Sequence, residues 1–443
     1  MKYKAETWDK MQDIMSRYND HMTHGYLEFD SHIDADILKD AMRIAVDKFP
    51  ILKCTYYSGI FRAQWKSLKK YNFDDYYQFA QTTENLMDYS ERFLVGKIDE
   101  KHQAQFKFMH VRNNGADAIC LLINHQCMDG ADLKVFYNCI AALYNDILNG
   151  GNGDLRIKNG TRSEMQLYND FSQTELEELD KLISYSKKQK SKLCFPFAKA
   201  KKSSLYAKIH KLRLSQEKFA QMKANGKKFG VSINDIILGA FYRAALKMIA
   251  PKPDQTLGIP NMVNMRRYIK SGDSAGFCNL TSMIVLNLGN TLGDDIFETI
   301  ARCKMGMDKL KNNYPGFHGW ALLRRVFKYA PHGLAKFLIG TFFKNPLVGL
   351  SNIGLIDHEG LTFGNAKLAS PTYMTGSIKI PPYMQLALTT LYNEITFTVA
   401  NYGNSQDHEM LKLFLDILDA ELTMFINADI TPDFTQSVFS KIN

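Results

Sequence analysis

Several familiar signatures are missing from this chain. Its 443 residues contain no GxGxxG, no Walker-type glycine loop and no HExxH. That removes the common dinucleotide, nucleotide-phosphate and zinc-protease readings. The seven cysteines include no CxxC pair and their number is odd, so neither a disulfide framework nor a thiolate metal site is expected. A reduced, cytoplasmic compartment is the simplest expectation. The first residues, MKYKAETWDK, lack an apolar core, and no secretory signal is expected. The most apolar stretch, Leu334 to Leu350, is interrupted by Lys336, Lys344 and Pro346, too broken for a membrane span. No solenoid repeat is visible. The net charge of +9 comes without any nucleic-acid module, so no nucleic-acid partner is expected.

What is present is ordinary globular composition, 45% hydrophobic and 23% charged, in a chain long enough for two or three domains. One composition shift stands out. Ser186 to Ser203 holds seven lysines and no acid, which reads as an exposed linker. The expected division is therefore residues 1–185, a basic linker at 186–204, and residues 205–443. In the first half, helical spacing predicts helices over Ala5 to Asn19, Asp34 to Phe49 and Ala131 to Leu148, with a strand from Gly25 to Phe29. Hairpins are predicted for Ile51 to Tyr57 with Phe61 to Lys66, and for Gln105 to Val111 with Ala118 to Asn124. In the second half, helices are predicted over Ser215 to Asn225, Ser232 to Ala250, Asp294 to Lys311 and His408 to Phe425. Strands are predicted over Gln255 to Val263, Leu280 to Leu288, Tyr383 to Leu391 and Ile395 to Asn401. Both halves mix helices and sheets, and neither has enough βα units for a barrel. Two packed α/β lobes are expected.

The chemistry-bearing candidate is Asn124-His125-Gln126-Cys127-Met128-Asp129-Gly130. An apolar strand ends in a histidine, a short loop follows, and Asp-Gly opens a long helix. Strand ends and helix starts can hold a side chain rigidly in a cleft, and a neutral imidazole can accept a proton. On spacing alone the plainer reading is favoured, with His125 a satisfied polar residue and Asp129 a helix N-cap. Cys127 reads as a buried structural thiol, and His21 with His24 as an exposed pair lacking a third metal ligand.

Other segments add to that motif. Leu27-Glu28-Phe29 precedes Asp34, Leu38, Ala41, Phe49-Pro50-Ile51-Leu52 and Thr55. Further on come Val263-Asn264-Met265-Arg266, Gly276-Phe277-Cys278-Asn279 and Leu350-Ser351-Asn352-Ile353-Gly354. In this order they resemble the chloramphenicol-acetyltransferase-like superfamily, which includes peptide-synthetase condensation domains, alcohol acyltransferases and polyketide-associated acyltransferases. The resemblance implies two lobes in a V with a tunnel between them. It implies acyl transfer from a thioester donor to a hydroxyl or amine acceptor. His125 would be the general base. Asp129 would be structural, paired with Arg266 or, in reserve, Arg267. Gly130 would permit the turn into the helix, and Asn279 and Ser351 would contribute to the oxyanion site or tunnel. No metal and no tightly bound cofactor is implied. The co-substrate would be an acyl-coenzyme A or a phosphopantetheine-linked acyl group, the latter on an acyl or peptidyl carrier protein. Asn124 stands where condensation domains carry a first histidine, and the plant-type DFGWG motif is absent. The alternatives are a carrier-dependent condensation enzyme of peptide-synthetase type and a catalytically silent docking module of the same fold.

Overall fold

The computed structural model describes residues 2–157, 159–182, 193–198, 204–252, 254–269, 276–289, 292–312, 314–343 and 345–442. In the first half the order is β1 (Lys2–Lys4), α1 (Thr7–Met15), β2 (Met22–Phe29), α2 (Ala35–Lys48), β3 (Cys54–Ser58), β4 (Ala63–Ser67), β5 (Tyr77–Gln81), α3 (Leu86–Leu94), β6 (Phe106–Arg112), β7 (Asp117–Asn124), α4 (Gly130–Leu148) and α5 (Gln173–Lys181). The second half runs β8 (Tyr206–Leu214), α6 (Gln216–Phe229), α7 (Ile233–Ile249), β9 (Gly258–Asn264), β10 (Thr281–Asn287), α8 (Ile296–Lys311), α9 (Phe317–Tyr329), α10 (His332–Phe342), β11 (Val348–Leu355), β12 (Leu368–Thr375), β13 (Met384–Leu391), β14 (Glu394–Gly403), α11 (Ser405–Ile426) and α12 (Pro432–Ile442). No single helix among the described residues is long and apolar enough to cross a membrane.

Two mixed sheets carry the two lobes. One has the strand order β12-β2-β7-β6-β5, the other β10-β9-β11-β13-β14-β8; β1, β4 and β3 form a small third sheet. β7 shows why the first sheet sits where it does. Its sequence DAICLLIN is buried along its whole length. Ile119, Leu121 and Ile123 face the core under α2 and α4, while Ala118 and Cys120 face the opposite layer with Leu86 and Leu94 of α3. Strand periodicity of two serves both faces, so the strand needs no polar side. Helix starts follow their caps. The Asp34 carboxylate accepts from the N–H groups of Asp36 and Ile37 at the head of α2, and Ser232 with Asp235 forms a reciprocal capping box on α7. Phe49-Pro50 ends α2, because proline cannot continue it.

The chain is not sorted cleanly by halves. β12 lies in the first lobe's sheet, antiparallel to β2, with Leu368 opposite Phe29 and Thr375 opposite His24. Ile356, Leu361, Phe363 and Phe277 are buried in the first lobe's core. Conversely, Leu167, Leu179 and Phe195 join the second lobe's core. Most of the lysine-rich segment, including Lys187, Lys188, Lys190 and Lys192, lies outside the described residues. The expected ending on a helix from His408 is extended by α12. The expected exposed pair His21 and His24 is instead buried: His21 sits at φ +66° just before β2, and the His24 ring nitrogen Nδ1 bonds the Leu94 carbonyl at 2.7 Å. β2 lies inside the sheet and is covered by α3, which leaves no exposed face for either ring.

Candidate active site

β7 ends at Asn124, and α4 begins at Gly130. Between them the loop is fixed from several directions. Asn124, where a histidine was the alternative, is fully buried. Its side-chain amide nitrogen donates to Gln105 Oε1 at 2.7 Å and its side-chain Oδ1 accepts from the Gln126 N–H at 2.9 Å. The Cys127 thiol donates to the Asn124 carbonyl at 3.0 Å, and burial pushes it well above the ordinary thiol range, so it is an inert packing group. Arg162 reaches in from the loop before α5. It donates to the carbonyls of Cys127 and Phe277 and pairs with Asp9 at 3.1 Å.

Asp129 fills two roles at once. Oδ1 accepts from the N–H groups of Ala131 and Asp132, capping α4. Oδ2 accepts from Arg266 at 2.7 Å, from the Leu280 N–H at 2.9 Å and from Thr281 Oγ1 at 3.2 Å. The plain N-cap reading and the arginine-pair reading are therefore both satisfied by one carboxylate, and Arg266 rather than Arg267 is the partner. Arg266 also bonds Asp132 Oδ1 at 2.8 Å. Burial opposes ionisation of both acids. The guanidinium and the N–H donors outweigh it at Asp129, which is held below its ordinary range. At Asp132 burial and the neighbouring Asp129 charge win, and its carboxyl is pushed up to about 8. Asp132 was missed in the sequence, although an acid three residues into an otherwise apolar helix face was a usable signal.

The segment 277–281 runs along this loop and closes the site. Phe277 stacks on Phe49 at 3.7 Å between ring centres and meets Phe136 edge-on. The Cys278 N–H bonds Asp132 Oδ2 at 2.9 Å. Asn279 then donates its amide to the Gln126 carbonyl at 2.8 Å. That bond orients the side chain, so its Oδ1 faces His125 Nδ1 at 3.0 Å. The Gln12 amide stands 3.4 Å from the same nitrogen. Asn279 Oδ1 can only accept and the Gln12 amide nitrogen can only donate, so the two compete for Nδ1. The shorter contact, to Asn279, favours the proton on Nδ1 of a neutral His125, which leaves the Nε2 lone pair unclaimed by any described residue. Burial lowers the imidazole below its ordinary value, partly offset by Asp129 and the Asn279 bond. Asn279 thus bonds the imidazole and is not among the cavity-lining residues, which is not the oxyanion position expected; one of its amide hydrogens is bonded to the Gln126 carbonyl.

His125 opens onto a cavity of about 280 Å³ between the lobes. α1 contributes Trp8, Gln12 and Met15, β9 and β10 contribute Met262, Val263, Thr281 and Met283, and β11 contributes Ser351 and Asn352. Gly130 lines it too, but not for the expected reason. Its φ is not left-handed, and an added Cβ would meet only Ile353, at 3.8 Å. The missing side chain leaves room in the cavity; the turn itself does not require glycine. Among the described residues no cluster of three or more metal-ligating side chains exists.

No family model and no curated relative matches this chain. Solved structures do. The epimerization domain from the third module of tyrocidine synthetase B superposes with a TM-score of 0.66 at 12% identity, covering 100% of this chain and 98% of that one. The first condensation domain of the calcium-dependent antibiotic synthetase, solved with a substrate analogue, gives 0.70 at 12% identity over 96% and 97%. Polyketide synthase associated protein 5 from Mycobacterium tuberculosis gives 0.63 at 12% identity over 96% and 98%. The chain therefore has the two-lobed condensation-domain fold over its full length.

Proposed function

We propose that this chain is an acyltransferase. It moves an acyl group from a thioester, on coenzyme A or on a separate carrier protein, to a hydroxyl or amine acceptor. The observation that carries this reading is the His125–Asn279 bond at a residue that lines the cavity: with the proton held on Nδ1, Nε2 is the ring nitrogen free to act as a base. In the proposed step, Nε2 removes the acceptor's proton as the acceptor oxygen or nitrogen bonds the thioester carbonyl carbon. The tetrahedral oxyanion collapses, the C–S bond breaks, and the imidazolium returns its proton to the departing thiolate. The products are an ester or amide and a free thiol. Ser351, at the cavity wall, is the candidate donor to the oxyanion. Asp129, Asp132 and Arg266 act indirectly, by holding the loop and the 277–281 segment that orients the base. The fold neighbours, being condensation and epimerization domains of synthetases, are consistent with chemistry on carrier-bound substrates.

Thiol release from a panel of acyl-coenzyme A and acyl-carrier thioesters, with hydroxyl and amine acceptors, tests the proposal. His125→Ala is expected to keep the fold and lower transfer by about 10²-fold or more. Full activity in folded His125→Ala would sink the mechanism. Saturable thioester binding with no thiol release in the wild type would favour the silent docking module instead.

A further inference from the structure

Among the described residues, the lining of the cavity beside His125 includes two lysines and not one acid. Lys134 is spoken for, since its ammonium donates to the Ile353 carbonyl at 2.9 Å. Lys379 is not. It lines the same cavity, yet it forms no ion pair and no side-chain hydrogen bond with any described residue. Its backbone, by contrast, is held on both sides. The Lys379 N–H bonds the Ala400 carbonyl at 2.9 Å, its own carbonyl accepts from the Tyr402 N–H at 2.8 Å, and Ile380 next to it bonds Tyr18. The residue sits on the segment that leaves β12 for β13, and bridges it to Asn19 and Asn401. A rigid backbone thus presents a cation to the cavity. Asp20 is the carboxylate that stabilises this charge, but its Oδ1 already accepts from the N–H groups of Met22 and Ile378, and His24 stands 3.7 Å from its other oxygen. Burial lowers the Lys379 ammonium to about 8, which still leaves it charged near neutral pH. The charge also reaches His125, where it opposes protonation.

Asp20 acts on Lys379 without an ion pair, and burial pushes its own carboxyl up to about 7, so the half-buried ammonium is under-compensated, which is costly unless something of opposite sign comes to it. The remaining lining is apolar or neutral, including Met262, Met283, Met384, Asn19 and Ser377. We propose that one substrate of this cavity carries an anionic group, a carboxylate or a phosphate, and that the Lys379 ammonium binds it. The proposal takes its choice of cavity from the acyl-transfer reading above. It narrows the substrate class to molecules with an apolar body and one anionic group, placed so that the reacting atom lies at His125.

Calorimetric titration of the full chain with three eight-carbon probes tests this: octanoate, octyl phosphate and the neutral isostere octanamide. Octanoate and octyl phosphate separate the two anion types. At least one is expected to bind about tenfold or more tightly than octanamide, the usual worth of a charged hydrogen bond in a partly dry site. Lys379→Met should remove that preference and leave octanamide binding unchanged, which also reports an intact cavity. Lys379→Arg should keep it, and Lys379→Gln serves if the methionine variant is unstable. Equal binding of octanamide, undiminished anion binding in folded Lys379→Met or Lys379→Gln, or no anion binding at all would overturn the proposal. These outcomes are independent of catalysis. Lys379-dependent anion binding in a protein that transfers no acyl group would leave this proposal standing and remove the enzymatic reading. His125-dependent transfer with Lys379-independent binding would do the reverse.

Discussion

Removing Asp129 and Asp132 separately and together measures how the site is braced. Asp129→Ala strips the cap from α4, a loss of about 1 kcal/mol. It also leaves the buried Leu280 N–H without an acceptor, at about 1–2 kcal/mol. Arg266 is not orphaned, because Asp132 Oδ1 stays 2.8 Å away. With the Asp129 charge gone, Asp132 is free to ionise and takes over. The single change is therefore expected to cost about 2–3 kcal/mol, less than the 3–5 kcal/mol of a broken buried pair. Asp132→Asn should cost about 1 kcal/mol, since an amide resembles the protonated carboxyl already favoured there. The double variant leaves the Arg266 charge with no acid, and its cost should exceed the sum of the singles by about 2 kcal/mol or more. Urea denaturation of the four proteins at neutral pH gives the cycle. The sign of its pH dependence also follows. A carboxyl raised in the folded state loses stability for the protein as pH climbs from its unfolded value near 4 toward 8. That penalty is relieved in Asp129→Ala, so the cost of Asp129→Ala should shrink from pH 5 to pH 8. Single costs that add to within about 0.5 kcal/mol would refute the shared guanidinium.

Three further outcomes are expected. The acidic limb of kcat/KM should fall at a pH below the ordinary histidine value of about 6.5, because burial lowers His125 and only its neutral form can act; a limb above that value in a pH–rate profile would contradict the assignment. Gly130→Ala should melt within a few degrees of the wild type while raising KM for bulky substrates, since the new methyl meets only the cavity wall at Ile353; a large loss of Tm would show that the backbone does need glycine there. Gly276→Ala should be destabilising by about 1–3 kcal/mol, because its Cβ would collide with the Gly160 carbonyl next to Arg162; denaturation at wild-type urea concentrations would remove that contact from the account.

The parts of the molecule legible in the sequence are those decided locally. Asp34, Ser215 and Ser232 announce their helices because a cap acts within three residues. His125, Asp129 and Arg266 stand out through the resemblance of their motifs to a known superfamily; on spacing alone the plainer reading is favoured. β12 was not, since its partner β2 lies more than 300 residues away and Pro371 interrupts its pattern. β8 was hidden by its own charges: YAKIHKLRL buries only Ile209 and Leu214. The role of Asn279 was misplaced for a similar reason. Its residue type suits an oxyanion donor, and only the Gln126 carbonyl, brought in from the other lobe, decides which end of the amide faces the imidazole. Arg162 sits in a short loop with no periodic pattern, and nothing in the sequence marks it.

The exchange of β12 bears on how such a protein can be cut and rejoined. A gene fragment ending at residue 185 would encode a sheet whose β2 edge is bare, with Phe363 and Leu368 missing from the core beneath it. Bare hydrophobic edges template aggregation. The two halves are thus poor candidates for recombination as independent modules. Supplied together as separate polypeptides they are expected to behave as a complementation pair, the second fragment donating the strand that the first lacks.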